Sequence, residues 1–143
     1  MATHLGKTAI CQYAGIAPAL LNDMDFVRTL AREIANGLGA TIMTDAQHVF
    51  RPQGISYVAV ISESSISIHT WPEHGALTID VFTSAPGADL ALMHRYVTKR
   101  VGATSDTANF LGRRVPQPQA EVVNQQLRLP IAARDIHGRQ SRQ

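Results

Sequence analysis

The 143-residue sequence predicts an α+β fold, a two-layer sandwich of an antiparallel sheet with two helices on one face. Two stretches repeat their apolar residues at helical spacing, one on each side of a run of four strand-like segments. Short links join the middle strands, and parallel neighbours would need a long crossover, so these strands pair antiparallel. With the helices on one face, the other must be wet or covered by a second subunit.

The elements follow in order. A short strand is expected from about Thr8 to Tyr13. In "NDMDFVRTLAREIANGLG", Val27, Leu30, Ala31, Ile34 and Leu38 mark one helical face. Asn22 or Asp23 caps its start, and Gly37 or Gly39 ends it. "ATIMTDAQHVF" reads as extended, and "RPQG" (Arg51 to Gly54) has turn chemistry. Ile55 to Ser62 is a mostly apolar strand. In the next, "ISIHTW", Ile66 and Ile68 face one side, while Ser65, Ser67, His69 and Trp71 face the other. "PEHG" turns the chain into "ALTIDVFTS", where Leu77, Ile79 and Val81 share a face. "PGADLALMHRYVTKRVG" is the second helix, with a stripe of Leu90, Met93, Val97 and Val101 and a stop at Gly102. "ATSDTANFLG" adds a last strand. Residues 1–115 form a single domain, and 116–143 are expected to be a polar, partly mobile extension.

Composition narrows the function. Hydrophobic content is 45%, within the globular range. No stretch is long and apolar enough to span a membrane, and no signal peptide is visible, so residence in the cytoplasm is the default. The single cysteine, Cys11, excludes a disulfide framework or a multi-cysteine metal site. A net charge of +2, with no aromatics among the basic clusters, gives no case for a nucleic-acid partner. His69 and His74 flank a Pro turn with only Glu73 nearby, short of the three ligands of a catalytic zinc, so no metal is expected. The other histidines lie in separate segments.

The segment "ISESSISIHTW" (Ile61 to Trp71) holds the unusual chemistry. Glu63 and Ser64 fall where two strands meet in a corner. A hydroxyl held there can attack the carbonyl carbon of the preceding residue and turn an amide into an ester. Splitting that ester by removing the Ser64 α-proton requires a base, and His69 is the nearest residue in sequence that titrates around neutral pH. Serine pairs at corners are common, so these residues alone also allow an ordinary polar turn.

"ISESSISIHTWPEHG…DVFTS" resembles the processing and active-site segment of the prokaryotic type of S-adenosylmethionine decarboxylase. The likeness extends upstream through "GATIMTDAQHVFRPQGIS" and covers about Gly6 to Ser84. It implies a pyruvoyl enzyme made by self-cleavage between Glu63 and Ser64, with Ser64 the precursor of a covalent pyruvate cofactor and the β and α chains staying together. His69 matches the family's processing histidine, and Ser56 matches a serine that stabilises cleavage intermediates. Phe50 and Trp71 match aromatic positions near the nucleoside, and Glu73 a carboxylate near the ligand. Taken singly, Trp71 also fits interface packing and Phe50 a core position. The implied reaction is loss of carbon dioxide from a small-molecule substrate, held as a Schiff base, feeding spermidine and polyamine biosynthesis. The resemblance also implies a homodimer.

Two positions depart from the family. Its histidine after the processing serine is Ser65 here. Its catalytic cysteine, thought to return a proton to the substrate carbon, is Ser84. A thiol has a pKa near about 8.5, and an alcohol is a far weaker acid. Three readings follow: an S-adenosylmethionine decarboxylase with an altered acid, a related pyruvoyl-dependent arginine or ornithine decarboxylase, or a low-activity, non-enzymatic homologue.

Overall fold

The strands are β1 (His4–Ala14), β2 (Ile42–Val49), β3 (Ile55–Ile61), β4 (Ser64–Trp71), β5 (Ala76–Thr83) and β6 (Ser105–Arg114) in a computed structural model that describes residues 3–118. They form one sheet in the order β2-β3-β4-β5-β1-β6, with every neighbouring pair antiparallel. The helices are α1 (Pro18–Leu21), α2 (Met24–Gly37) and α3 (Leu90–Val101). The predicted α+β two-layer sandwich is therefore present. The one-turn α1 was not foreseen, and β1 is longer at both ends than the alternation suggested.

Capping chemistry sets the helix bounds. The Asp23 carboxylate accepts from the N–H groups of Asp25 and Phe26 at 2.9 and 3.3 Å, which satisfies donors that the first turn of α2 leaves free. Asn22, the other candidate cap, instead accepts from the Gly54 N–H at 3.1 Å. The second predicted helix starts at Leu90 and not near Pro86, because Asp89 caps it through the Leu92 N–H at 2.9 Å. Residues 84–89 form a separate link from β5 to α3.

The predicted helical stripes are the buried ones. Val27, Leu30, Ala31 and Ile34 of α2 meet Leu90, Met93, Val97 and Val101 of α3 in one core. From the sheet, Ala9, Cys11, Tyr57, Ala59, Ile66, Ile68, Ile79 and Val81 close that core. Each large aliphatic side chain buried in this way contributes about 1.5–3 kcal/mol. Tyr13 is bonded to His94 Nδ1 at 2.8 Å, and His94 Nε2 to Asp106 at 2.9 Å, which ties α3 to β1 and β6.

Among the described residues, the other sheet face carries no helix. Ser56, Val58 and Val60 of β3 lie there, followed by Ser65, Ser67 and His69 of β4, Asp80 and Phe82 of β5, Ile10 of β1 and Leu111 of β6. Val58, Val60 and Leu111 are exposed. No described helix is long and apolar enough to cross a membrane. The sheet ends at Arg114, and the polar extension expected over 116–143 lies outside the described residues from 119 onward.

Candidate functional site

Ser62 and Glu63 form a two-residue loop between β3 and β4, with Ile61 paired to Ser64. Glu63 has φ of 68°, the only positive φ among the described non-glycine residues. An L-residue pays roughly 1–2 kcal/mol in the left-handed region, where a glycine would be at ease. Contacts hold the loop from both sides. Ser62 N–H donates to Thr41 O at 2.8 Å, and Ser62 Oγ accepts from Thr41 N–H at 2.9 Å. On the far side, the Glu63 carbonyl oxygen accepts twice from Ser84, from the hydroxyl at 2.9 Å and from the backbone N–H at 3.2 Å. The Ser64 hydroxyl also lies against that carbonyl oxygen, and its Oγ is 3.3 Å from the Ser84 nitrogen.

Two donors on one carbonyl oxygen make the carbon beneath it electrophilic, and they stabilise negative charge on that oxygen if a nucleophile adds. The Ser64 hydroxyl is the side chain that lies against this carbonyl group. Cys11 cannot stand in for the absent thiol. It is fully buried beside Ile79, four residues along β1 from Lys7, whereas Lys7 faces Thr83, the neighbour of Ser84. Burial also pushes the Cys11 thiol pKa up.

A second group of predicted residues lies at the other end of β4. Ser56 Oγ and His69 Nδ1 are 2.7 Å apart across β3 and β4. They border a cavity of about 320 Å³, together with Phe50, Trp71, Glu73 and Gln53. Phe50 is exposed and packs edge-on against His48 at 4.7 Å between centroids, so its alternative reading as a core residue is overturned. Trp71 is also exposed, with its ring 6.4 Å from that of His69. The cavity thus has aromatic faces, a carboxylate, a hydroxyl and an imidazole.

The eight predicted residues therefore fall into two clusters. Glu63, Ser64 and Ser84 form one; Phe50, Ser56, His69, Trp71 and Glu73 form the other. Ser64 and His69 are five residues apart on one continuous strand, which at about 3.3 Å per residue is some 16 Å. The expectation that His69 is the base beside Ser64 therefore fails within a single copy, because a strand cannot fold back on itself.

Sequence reading missed several supporting residues. Thr70 Oγ1 donates to Leu21 O at 2.7 Å and accepts from Ile55 N–H at 2.9 Å, joining β4, α1 and β3 beneath the cavity. Asn22 fixes Gly54 in the turn that presents Phe50 and Gln53. Helical period marks neither residue as functional. Their partners lie 49 and 32 residues away, respectively, so only the folded pairing shows them.

Comparison with known proteins defines the class. Residues 7–114 match the family model described as S-adenosylmethionine decarboxylase. The S-adenosylmethionine decarboxylase proenzyme of Acetivibrio thermocellus is 37% identical over 120 residues, covering 84% of this chain and 97% of that protein. The proenzyme of Clostridium kluyveri is 36% identical over 119 residues, covering 83% and 94%, and that of Pseudomonas paraeruginosa 39% over 111 residues, covering 78% and 69%. The chain belongs to the S-adenosylmethionine decarboxylase family, as the Glu63–Glu73 block indicated. The crystal structure of the adenosylmethionine decarboxylase of Aquifex aeolicus superposes with a TM-score of 0.72 at 22% identity, over 84% of this chain and 99% of that one, and shares the fold.

Proposed function

We propose that this chain is a cytoplasmic, pyruvoyl-dependent S-adenosylmethionine decarboxylase that cuts itself between Glu63 and Ser64 and serves spermidine synthesis. The observation that carries the reading is the double donation from Ser84 to the Glu63 carbonyl, with the Ser64 hydroxyl against the same group. In the cut, Ser64 Oγ bonds to the Glu63 carbonyl carbon, and the bond from that carbon to the Ser64 nitrogen breaks. The resulting ester joins Glu63 to the Ser64 side chain. A base takes the Ser64 α-proton, the bond from Cβ to the ester oxygen breaks, and Glu63 leaves as a carboxylate. Water then displaces the nitrogen of residue 64 as ammonia, which leaves a keto group at the new terminus.

The residues fit that group: Ser64 begins β4 beside Ser84, at a corner open to solvent. The keto group supplies a carbonyl that captures the substrate amine and draws off the electron pair left by carbon dioxide. Phe50 and Trp71 offer faces for the nucleoside and for a sulfonium charge, and Glu73 offers acceptors for ribose hydroxyls.

The distance between the clusters calls for a second copy. Two chains stacked through their open faces about a two-fold axis bring the His69 end of one to the Ser64 end of the other. Ser56 and His69 of each copy then serve the hairpin of its partner. Intact mass measurement of the wild-type chain should show two fragments, one ending at Glu63. Mixing refolded Ser64→Ala and His69→Ala chains should restore cleavage, because each mixed dimer holds one complete site; cleavage by neither variant alone and none in the mixture would refute the shared site. Release of labelled carbon dioxide from S-adenosylmethionine, but not from arginine or ornithine, tests the substrate.

A further inference from the structure

Lys7 sits on β1 directly opposite Thr83, the residue before Ser84. Its ammonium donates to the carbonyl oxygens of Ala88 at 2.9 Å and Pro86 at 3.4 Å. Both acceptors belong to the link 84–89, the segment that presents Ser84 to the Glu63 carbonyl. The link is also anchored at its two ends, by Ser84 on the Glu63 carbonyl and by Asp89 as the cap of α3, and Ala88 is buried in the core. Ala88 N–H reaches Ala85 O at 3.2 Å, and Ala85 N–H reaches Thr83 Oγ1 at 3.1 Å. Pro86 has no N–H to give, and Gly87 leaves the backbone free to take many conformations. A cavity of about 490 Å³ opens beside the link, bordered by Leu90, Phe110 and Leu111, so packing does not close it from outside.

We propose that Lys7 is a positioning residue for Ser84, its ammonium clamping the 84–89 link so that both Ser84 donors stay on the Glu63 carbonyl. An ammonium is suited to clamping because it has three donors, and a charged donor makes a stronger bond to a carbonyl than a neutral one. The inference rests on the self-cleavage reading, since it gives Lys7 a role only through Ser84. Lys7 does not touch Ser64 or the aromatic cavity, so its effect falls on rates and not on substrate affinity.

Lys7→Met keeps the stem and removes the donors. Its cleavage at Glu63–Ser64, followed on denaturing gels, is expected to be roughly 10- to 100-fold slower, as a misplacement of about 1 Å costs in other sites. Lys7→Arg, which donates to both carbonyls, should recover most of the rate. In chains that have cleaved, turnover of Lys7→Met should drop while KM stays near the wild-type value. A Ser64→Ala background shows whether Lys7→Met still unfolds cooperatively. If it does not, Lys7→Gln, with one neutral donor, is read instead and should fall between wild type and complete loss. Wild-type rates in Lys7→Met or Lys7→Gln, or a Lys7→Arg chain as slow as Lys7→Met, would overturn the clamp while leaving self-cleavage standing. A wild-type chain that never cleaves overturns both together.

Discussion

At Ser84, the two roles proposed for one side chain, holding the Glu63 carbonyl and returning a proton to the substrate carbon, pull in opposite directions. A hydroxyl is a better donor than a thiol, which favours holding the Glu63 carbonyl at 2.9 Å. A thiol is the better acid, which favours returning a proton to a carbon. Removing one donor of an oxyanion-holding pair costs about 10²–10³ in rate in other enzymes. Ser84→Ala removes the hydroxyl donor and keeps the backbone N–H, so it should slow cleavage by about 10²–10³. Ser84→Cys should separate the two roles, with slower cleavage than wild type and faster carbon dioxide release per cleaved chain. If turnover does not change, Ser84 is not at the proton-return step, and its role ends with processing. Gel densitometry for the cut and a radiometric assay normalised to the cleaved fraction measure the two effects separately.

Among the elements, the hairpin between β3 and β4 carries the strain. Thr41 grips Ser62 from one side and Ser84 grips Glu63 from the other, so the loop cannot relax without losing hydrogen bonds. Glu63→Gly relieves the positive φ, offset in part by the greater chain entropy of glycine. In an uncleavable Ser64→Ala background it should raise unfolding free energy by about 0.5–1 kcal/mol in urea titration. If the strain helps drive the acyl shift, Glu63→Gly with Ser64 present should cleave a few-fold slower; equal rates would show that it does not. Much of this element is readable in the sequence. Alternation in "ISIHTW" and "ALTIDVFTS" assigns Ile66, Ile68, Ile79 and Val81 to the core and His69 to the open face. The five-residue spacing on a strand also implies that Ser64 and His69 are far apart, since on extended backbone nearness in sequence is not nearness in space. The Lys7 clamp and the Asn22 contact are not readable. They join residues 81 and 32 positions apart, and no local pattern encodes such a pairing.

For the whole molecule, the question is what covers the second sheet face. Six strands spaced about 4.8 Å apart and about eight residues long present a face of roughly 750 Å². A standard stable interface buries about 800 Å² per partner, so a second copy stacked on this face is of the right size. Val60 is exposed near the hairpin end of β3, between Thr44 and Ser65 in the register, on the open face of the sheet. Val60→Glu would bring a like charge from each copy into the stacked face, where an unpaired carboxylate is costly. The hairpin, the Ser84 contacts and the Ser56–His69 pair all lie within one chain and should survive in the variant. If His69 acts only across the interface, Val60→Glu should sediment as a monomer and remain uncut. Raising its concentration should restore dimer and cleavage in parallel. A monomeric Val60→Glu chain that cuts itself at the wild-type rate would mean that one copy brings a base to Ser64 unaided, and the shared site would have to be abandoned.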